Sequence, residues 1–282
     1  MQSLLETIRV AENKKVAIGH FNFAESTVFN VAVMVARELG VPVILGTSEK
    51  EREFLGRDVL KSLMSSSQNL TSNIYFNADH TKSLEKVKEA VEIGFNSITF
   101  DCSELSLEEN IKKTKEVVDY VKSVQPEILV EGEIGYIAIG SQLRESVPEG
   151  IQLTTVEEAA RFVKETGVDM LAPAVGNIHG MIRAGEPKLN IERIREIKEA
   201  VKIPLVLHGA SGNSDEDIKA AIAAGISVIH INTEVRLAWK NELDKNLHEY
   251  PDELAPYKIL ASSEEAAKEV IKKKLQLFNN LI

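Results

Sequence analysis

Cysteine is all but missing from this chain. Cys102 stands alone, so no intrachain disulfide can form and a reducing, cytoplasmic setting is expected. Basic residues are also short: 33 Lys and Arg against 43 Asp and Glu leave a formal net charge of −10. A field of that sign repels nucleic acid and anionic membranes, so neither is expected as a partner, and an anionic substrate has to be met by local positive charge or by a metal. No apolar run approaches the roughly 18 residues of a membrane span, and Met1–Val10 carries no long apolar h-region, which predicts a chain neither membrane-spanning nor exported. The first strand-like run, Ile18-Gly19-His20-Phe21-Asn22-Phe23, lacks a glycine fingerprint, which argues against an open nucleotide-binding sheet.

What is present is a regular alternation of two periodicities. Eight strand-like runs, Val16–Phe23, Val41–Thr47, Ile74–Asp79, Ser97–Asp101, Ile128–Gly135, Met170–Gly176, Leu205–His208 and Val228–Thr233, are separated by amphipathic segments. The clearest of these segments are Ser26–Leu39, Leu84–Ile93, Leu107–Val124, Val156–Thr166, Ile191–Val201 and Asp215–Ala224, several of them followed by glycine (Gly40, Gly94, Gly167, Gly225) as a C-cap. The alternation predicts the α/β class. With 282 residues, against about 250 for a typical example, it predicts a (β/α)8 TIM barrel forming a single domain over residues 1–282. Residues 243–282 read as a C-terminal helical extension packed outside the barrel. The long connection from Tyr136 to Leu153 reads as a lid or binding loop.

The stretch around which the rest is organised is Leu205-Val206-Leu207-His208-Gly209-Ala210-Ser211-Gly212. It is a buried strand whose last side chain enters a loop of bare amides, which can receive a phosphate. His80 and His179 stand at or just beyond the ends of two other strands. In a barrel those ends share one face, where three imidazoles make a catalytic zinc site. Asp79, beside His80, is a candidate general acid/base or an orienter of that histidine. Asp101, Glu131 and Glu133 form a further acidic cluster at strand ends four and five, of the kind that marks a metal, a raised pKa or a salt bridge. Near the last strand, Thr233 joins Ser211 as an anion site, with N-capping by Asn232 or Thr233 as the alternative.

Asn77-Ala78-Asp79-His80, Val175-Gly176-Asn177-Ile178-His179-Gly180, His208-Gly209-Ala210-Ser211-Gly212 and Ile231-Asn232-Thr233-Glu234 together resemble the class II, zinc-dependent fructose-bisphosphate aldolases and their tagatose-bisphosphate relatives. The resemblance runs from about Val16 to Trp239. It implies reversible cleavage of fructose 1,6-bisphosphate to dihydroxyacetone phosphate and glyceraldehyde 3-phosphate, in a homo-oligomer, dimer or tetramer, acting on phosphorylated ketoses and trioses. Carried onto this chain it makes His80, His179 and His208 the ligands of one catalytic zinc. Asp79 becomes the proton carrier at the hydroxyl whose loss breaks the carbon–carbon bond, and Asn232 the holder of the dihydroxyacetone phosphate part. It places Gly180, Gly209, Ser211, Asn232 and Thr233 around the phosphate, with Asn22 and Ser48 as additions, and matches Asp101 and Glu133 to a second, buried cation position, divalent or monovalent.

The chain departs from the resemblance in two places. His230 stands where the family commonly has a lysine, two residues before the asparagine, and strand alternation turns His230 and His20 inward on adjoining strands, where the rings either meet or stand as two separate core histidines. The lid lacks the usual glycine pair, so its proton-shuttling glutamate is Glu145 or Glu149. Arg183 and Arg236 are candidates for the second phosphate, or simply solvated. The alternative functions are a tagatose-bisphosphate or other phosphosugar aldolase, and a catalytically weak phosphosugar-binding homologue. A Schiff-base aldolase is disfavoured because no strand ends in a lysine placed to be buried.

Overall fold

Strands and helices alternate along the chain and the sheet closes on itself. The computed structural model describes residues 2–68, 73–135, 137, 142–146, 152–183 and 187–282. From the N-terminus, helix α1 (Leu4–Lys14) leads to β1 (Ile18–Asn22), α2 (Ser26–Leu39), β2 (Val43–Thr47), α3 (Glu49–Leu55) and α4 (Arg57–Gln68). The middle holds β3 (Ile74–Thr81), α5 (Leu84–Ile93), β4 (Ser97–Phe100), α6 (Leu107–Val124), β5 (Leu129–Ile134) and the two-residue β6 (Leu143–Arg144). Then follow α7 (Val156–Thr166), β7 (Met170–Pro173), β8 (Met181–Ile182), α8 (Ile191–Val201), β9 (Leu205–Leu207), α9 (Asp215–Ala224) and β10 (Ile226–His230). Helices α10 (Thr233–Glu249), α11 (Pro256–Ile259) and α12 (Ala261–Phe278) complete the chain.

Around the barrel the order is β1, β2, β3, β4, β5, β7, β9, β10 and back to β1, with every neighbouring pair parallel. This is a (β/α)8 barrel. Strands β6 and β8 form a separate parallel pair. The last barrel strand ends earlier than its apolar pattern suggests: Asn232 is the N-cap residue of α10 and Thr233 its first residue, so both belong to a helix start rather than to a strand. Among the described residues no helix is long and apolar enough to cross a membrane.

Because successive side chains of a strand alternate in direction, every second residue faces the barrel axis. At the N-terminal end those residues are Ile18, Ile44, Tyr75, Leu129, Met170, Val206 and Val228, and Leu4, Ile8 and Ala11 of α1 pack against them, so that helix plugs the barrel. Two residues further along the same strands the inward positions become His20, Gly46, Asn77, Glu131, His208 and His230. A further step reaches Asn22, Asp79 and Glu133. The core thus changes from hydrocarbon to hydrogen-bonding groups along its own axis.

Helix α12 covers the outside of the barrel at the closing strand. Ile271, Leu275 and Phe278 are fully buried, and the Phe278 carbonyl accepts the Ala17 N–H (3.0 Å) just before β1. Truncating Phe278→Ala removes a fully buried ring and is expected to cost about 3–5 kcal/mol, read as a lower midpoint in urea unfolding at an unchanged slope.

Candidate metal and active site

Three imidazoles meet at the C-terminal mouth of the barrel. The ring centroids of His80, His179 and His208 are 5.0, 5.1 and 5.7 Å apart, edge to face. Each is delivered by a different device. His208 follows β9 directly, and its Nε2 pairs with Glu131 Oε1 at 2.7 Å, which aims Nδ1 away from that carboxylate. His80 sits at a register shift in β3 with a left-handed backbone (φ 42°), and its Nδ1 pairs with Asp101 Oδ2 at 3.0 Å. His179 lies on the loop after β7, which Asn177 ties down by accepting the Val175 N–H (2.8 Å) and donating to the His208 carbonyl (2.9 Å).

Glu133 completes the group. Its Oε2 lies 3.6 Å from His80 Nδ1 and 3.5 Å from His208 Nδ1. One donor atom from each of His80, Glu133, His179 and His208 falls within 4.8 Å of every other. His179 Nε2, His208 Nδ1 and Glu133 Oε2 are buried without a hydrogen-bond partner. Orphaned donors are costly unless something binds them. Three imidazole nitrogens and one carboxylate oxygen suit a divalent ion of borderline softness such as zinc. Asp101, matched with Glu133 to a second cation position, has its Oδ2 on His80 and its Oδ1 on the Ser103 N–H and hydroxyl. Its bond to His80 orients that imidazole.

The same contacts drive the ionisable groups apart. Burial opposes charge on His80, but Asp79, the hydrogen bond to Asp101 and the charge of Glu133 prevail and push its pKa up to about 10. Burial, with Asp101 and Glu131 adding like charge, raises Glu133 to about 7. Burial would also raise Asp79, yet His80, His20, His208 and the Asn22 amide hold it well below the usual carboxylate range. His179 and His230 are driven well below the ordinary imidazole value by burial and by neighbouring imidazoles. Such divergence is common to working sites and to buried ion-pair networks.

His20 and His230 do meet. They are register partners on β1 and β10, and their rings stack at 3.5 Å with planes 1° apart. His230 also stacks on His208 at 4.0 Å, and its Nδ1 is 3.7 Å from Asp79 Oδ1. Room for the outer ring comes from Gly46, where a Cβ would lie 2.2 Å from His20 Cε1. The side chain that β10 sends toward Asp79 is therefore His230. Asn232 lies one step beyond, its side-chain Oδ1 accepting the Asn22 N–H at 2.7 Å.

The phosphate candidates lie on adjoining loops. At Gly209 (φ 57°) a Cβ would come within 2.4 Å of the Ile178 carbonyl, so the loops carrying His179 and His208 can touch only through a glycine there. Gly180 packs in the same way against the Gln142 carbonyl. Ser211 Oγ accepts the Glu234 N–H (3.3 Å), and the Gly212 N–H donates to Glu234 Oε1 (2.8 Å), so that amide already has a carboxylate acceptor. Thr233 is buried in the first turn of α10, whose N-cap Asn232 makes no side-chain capping bond. Glu145 is 86% exposed and pairs with Arg183, and Arg236 pairs with Glu51, so both arginines face carboxylates. Glu149 lies outside the described residues.

Two neighbours of the site were not expected. Arg52 of α3 is buried, donating to the Thr47 and Asp79 carbonyls (2.5 and 3.4 Å) and to Thr81 Oγ1 (3.0 Å), and so brackets the kink that carries His80. Glu51 reaches Asp79 through Asn22. Ser48-Glu49-Lys50-Glu51 has the spacing of a capping box, and the structure contains one there. That pattern announces a helix start and says nothing of a second partner for Glu51.

The model of the family "Fructose-bisphosphate aldolase class-II" matches residues 2–281. The chain belongs to that family. It is 35% identical to the fructose-bisphosphate aldolase of Geobacillus stearothermophilus, over 99% of this chain and 96% of that protein. It is 34% identical to the Staphylococcus aureus (strain Mu50) enzyme of the same name, over 98% and 96%. The crystal structure of the YdjI aldolase from Escherichia coli K12 superposes with a TM-score of 0.81 at 35% identity, covering 96% of this chain and 94% of that one. For a class II aldolase, a group of histidines and a glutamate able to hold a metal at the barrel mouth is the expected centre.

Glu131 gives this class II centre its most direct test. Glu131→Gln weakens the hydrogen bond that aims His208 and is expected to lower metal affinity about 10–100-fold, measured by competition with a chromophoric chelator.

Proposed function

We propose that this chain is a zinc-dependent ketose-bisphosphate aldolase that reversibly cleaves fructose 1,6-bisphosphate into dihydroxyacetone phosphate and glyceraldehyde 3-phosphate. The observation that carries the reading is the convergence of three imidazoles, two of them (His179 and His208) with an unpartnered buried nitrogen, on a carboxylate, Asp79, whose Oδ1 is 3.9 Å from His80 Nε2. Family membership supports it. His80, His179 and His208 would hold the zinc, with Glu133 beside them, and zinc bound there supplies a Lewis acid that polarises the ketone oxygen of the sugar.

The chain's own groups account for the remaining steps. Asp79 is kept ionised by its surroundings and its Oδ1 has no hydrogen-bond partner, so it can take the proton from the hydroxyl beside the breaking carbon–carbon bond and return it during condensation. The loops of Gly180 and Gly209, with Ser211 and Thr233, grip the phosphate, and that remote binding energy places the reacting carbons. Asn232, its side-chain Oδ1 tied to β1, holds the dihydroxyacetone phosphate part through its Nδ2. A lid acid, Glu145 or Glu149, handles the carbon-bound proton. The same reading makes residues 1–282 one domain of a cytoplasmic homo-oligomer, dimer or tetramer. Its partners are phosphorylated sugars rather than nucleic acid or membranes.

Purified protein is expected to release triose phosphates from fructose 1,6-bisphosphate faster than from tagatose 1,6-bisphosphate, to stop when a chelator is added, and to recover with zinc. Failure of the zinc-loaded protein to cleave either sugar would overturn the reading, and a faster tagatose rate would overturn the substrate. Asp79→Asn is expected to retain zinc and to lose about 10²–10⁴-fold in kcat, measured by a coupled triose phosphate assay with metal content in parallel.

A further inference from the structure

Glu51 lies on α3, outside the barrel, yet its carboxylate is only 13% exposed and has three donors. Its Oε2 accepts from the Ser48 N–H (2.7 Å) and from Asn22 Nδ2 (3.0 Å), and its Oε1 accepts from Arg236 Nη2 (2.5 Å). The first contact belongs to the capping box. The other two lie beyond what capping requires.

Asn22 Nδ2 also donates to Asp79 Oδ2 at 2.8 Å. One amide group thus has two protons and two carboxylate acceptors, Glu51 on one side and Asp79 on the other. A primary amide with both protons so engaged cannot flip without losing both bonds, and its plane is fixed. Asn22 is held from its backbone as well, since its N–H donates to Asn232. Its Oδ1 is buried without a partner. Asp79 therefore has one oxygen pinned by Asn22, while the other, Oδ1, is left to act.

We propose that Glu51 is a positioning residue for Asp79, acting through Asn22 and balanced by Arg236. The inference rests on the aldolase reading only for the step it affects. The contacts run from the first turn of α10 through α3 and β1 to β3, so they couple three neighbouring loops of the barrel mouth to the orientation of one carboxylate. Neighbouring side chains of α3 act on the same segment: Glu49 Oε1 accepts the Lys82 N–H (2.7 Å) and Arg52 holds the Asp79 carbonyl. Without Glu51, Asn22 keeps Asp79 as a partner but is free to rotate, and with it the angle at which Asp79 Oδ1 meets a substrate hydroxyl.

The test separates the two halves of the reaction. Wild type, Glu51→Ala, Glu51→Asp and Glu51→Gln are compared for cleavage of fructose 1,6-bisphosphate and for exchange of the carbon-bound proton of dihydroxyacetone phosphate with solvent, which breaks no carbon–carbon bond. In Glu51→Ala, kcat for cleavage is expected to fall on the order of tenfold, with KM, zinc content and proton exchange near wild type. Glu51→Asp, too short to reach Asn22, should match it should the alanine variant not fold. Glu51→Gln keeps an oxygen for Asn22 and should restore most of the rate. Unchanged cleavage in both short variants, or a parallel loss of exchange and zinc, overturns the proposal. Wild type inert in both assays overturns the aldolase reading instead. Positioning is then decided by crystal structures of wild type and Glu51→Asp, where an unmoved Asn22 amide and Asp79 carboxylate would refute it.

Discussion

Alternation along a closed parallel strand is the constraint on which this molecule depends. Inside the barrel there is no solvent face, so each inward polar group has to find its partner among the other strands or bear the cost of desolvation. The strands meet that requirement in depth. Asn77 bonds His20, Ser97 and Thr99, Glu131 bonds His208, and Asn22 bonds Asp79. Among the atoms left over are those of His179, His208, Glu133 and Asp79 at the mouth, where a metal and a substrate can satisfy them; His20, His230 and Asn22 each keep one unpartnered atom beside them.

Acids and imidazoles are interleaved in this layer, and the acids sustain charge on His80 and His208 while burial holds His20, His179 and His230 toward the neutral form. That arrangement makes orientation as important as proximity. A carboxylate serves as a ligand, as an orienter or as a proton carrier according to which of its oxygens is already committed. Glu131 and Glu133 are two residues apart on β5 and both face inward, yet one is bonded to a histidine nitrogen and the other has an oxygen open to the cluster.

The fold was legible in the sequence because both of its periodicities are strong. The six amphipathic segments named from pattern, from Ser26–Leu39 to Asp215–Ala224, have the same bounds in the structure, where local propensity, glycine stops and burial agree. The eight barrel strands were also visible, though most read too long by one to three residues. A strand's apolar pattern does not end where its pairing does: Ile231 continues the run after β10 has stopped. Helix α3 carries little periodic signal in its seven mostly charged residues, whereas α1 and α4, with 11 and 12 residues, are amphipathic and were legible but not named. At the site, strand ends and a known motif led to His80, His179, His208 and Asp79, and alternation alone led to the stacked His20 and His230. Arg52 and Glu51 could not be found that way. Their contacts cross from a surface helix to strands about 30 residues away in the chain or more, and no spacing rule encodes them.

Helix α1, which closes the N-terminal end of the barrel with Leu4, Ile8 and Ala11, turns the interior into a blind-ended well. Whatever reaches the histidines arrives and departs through the C-terminal mouth of the barrel. A sugar cleaved there sheds both of its products through the same end by which it entered.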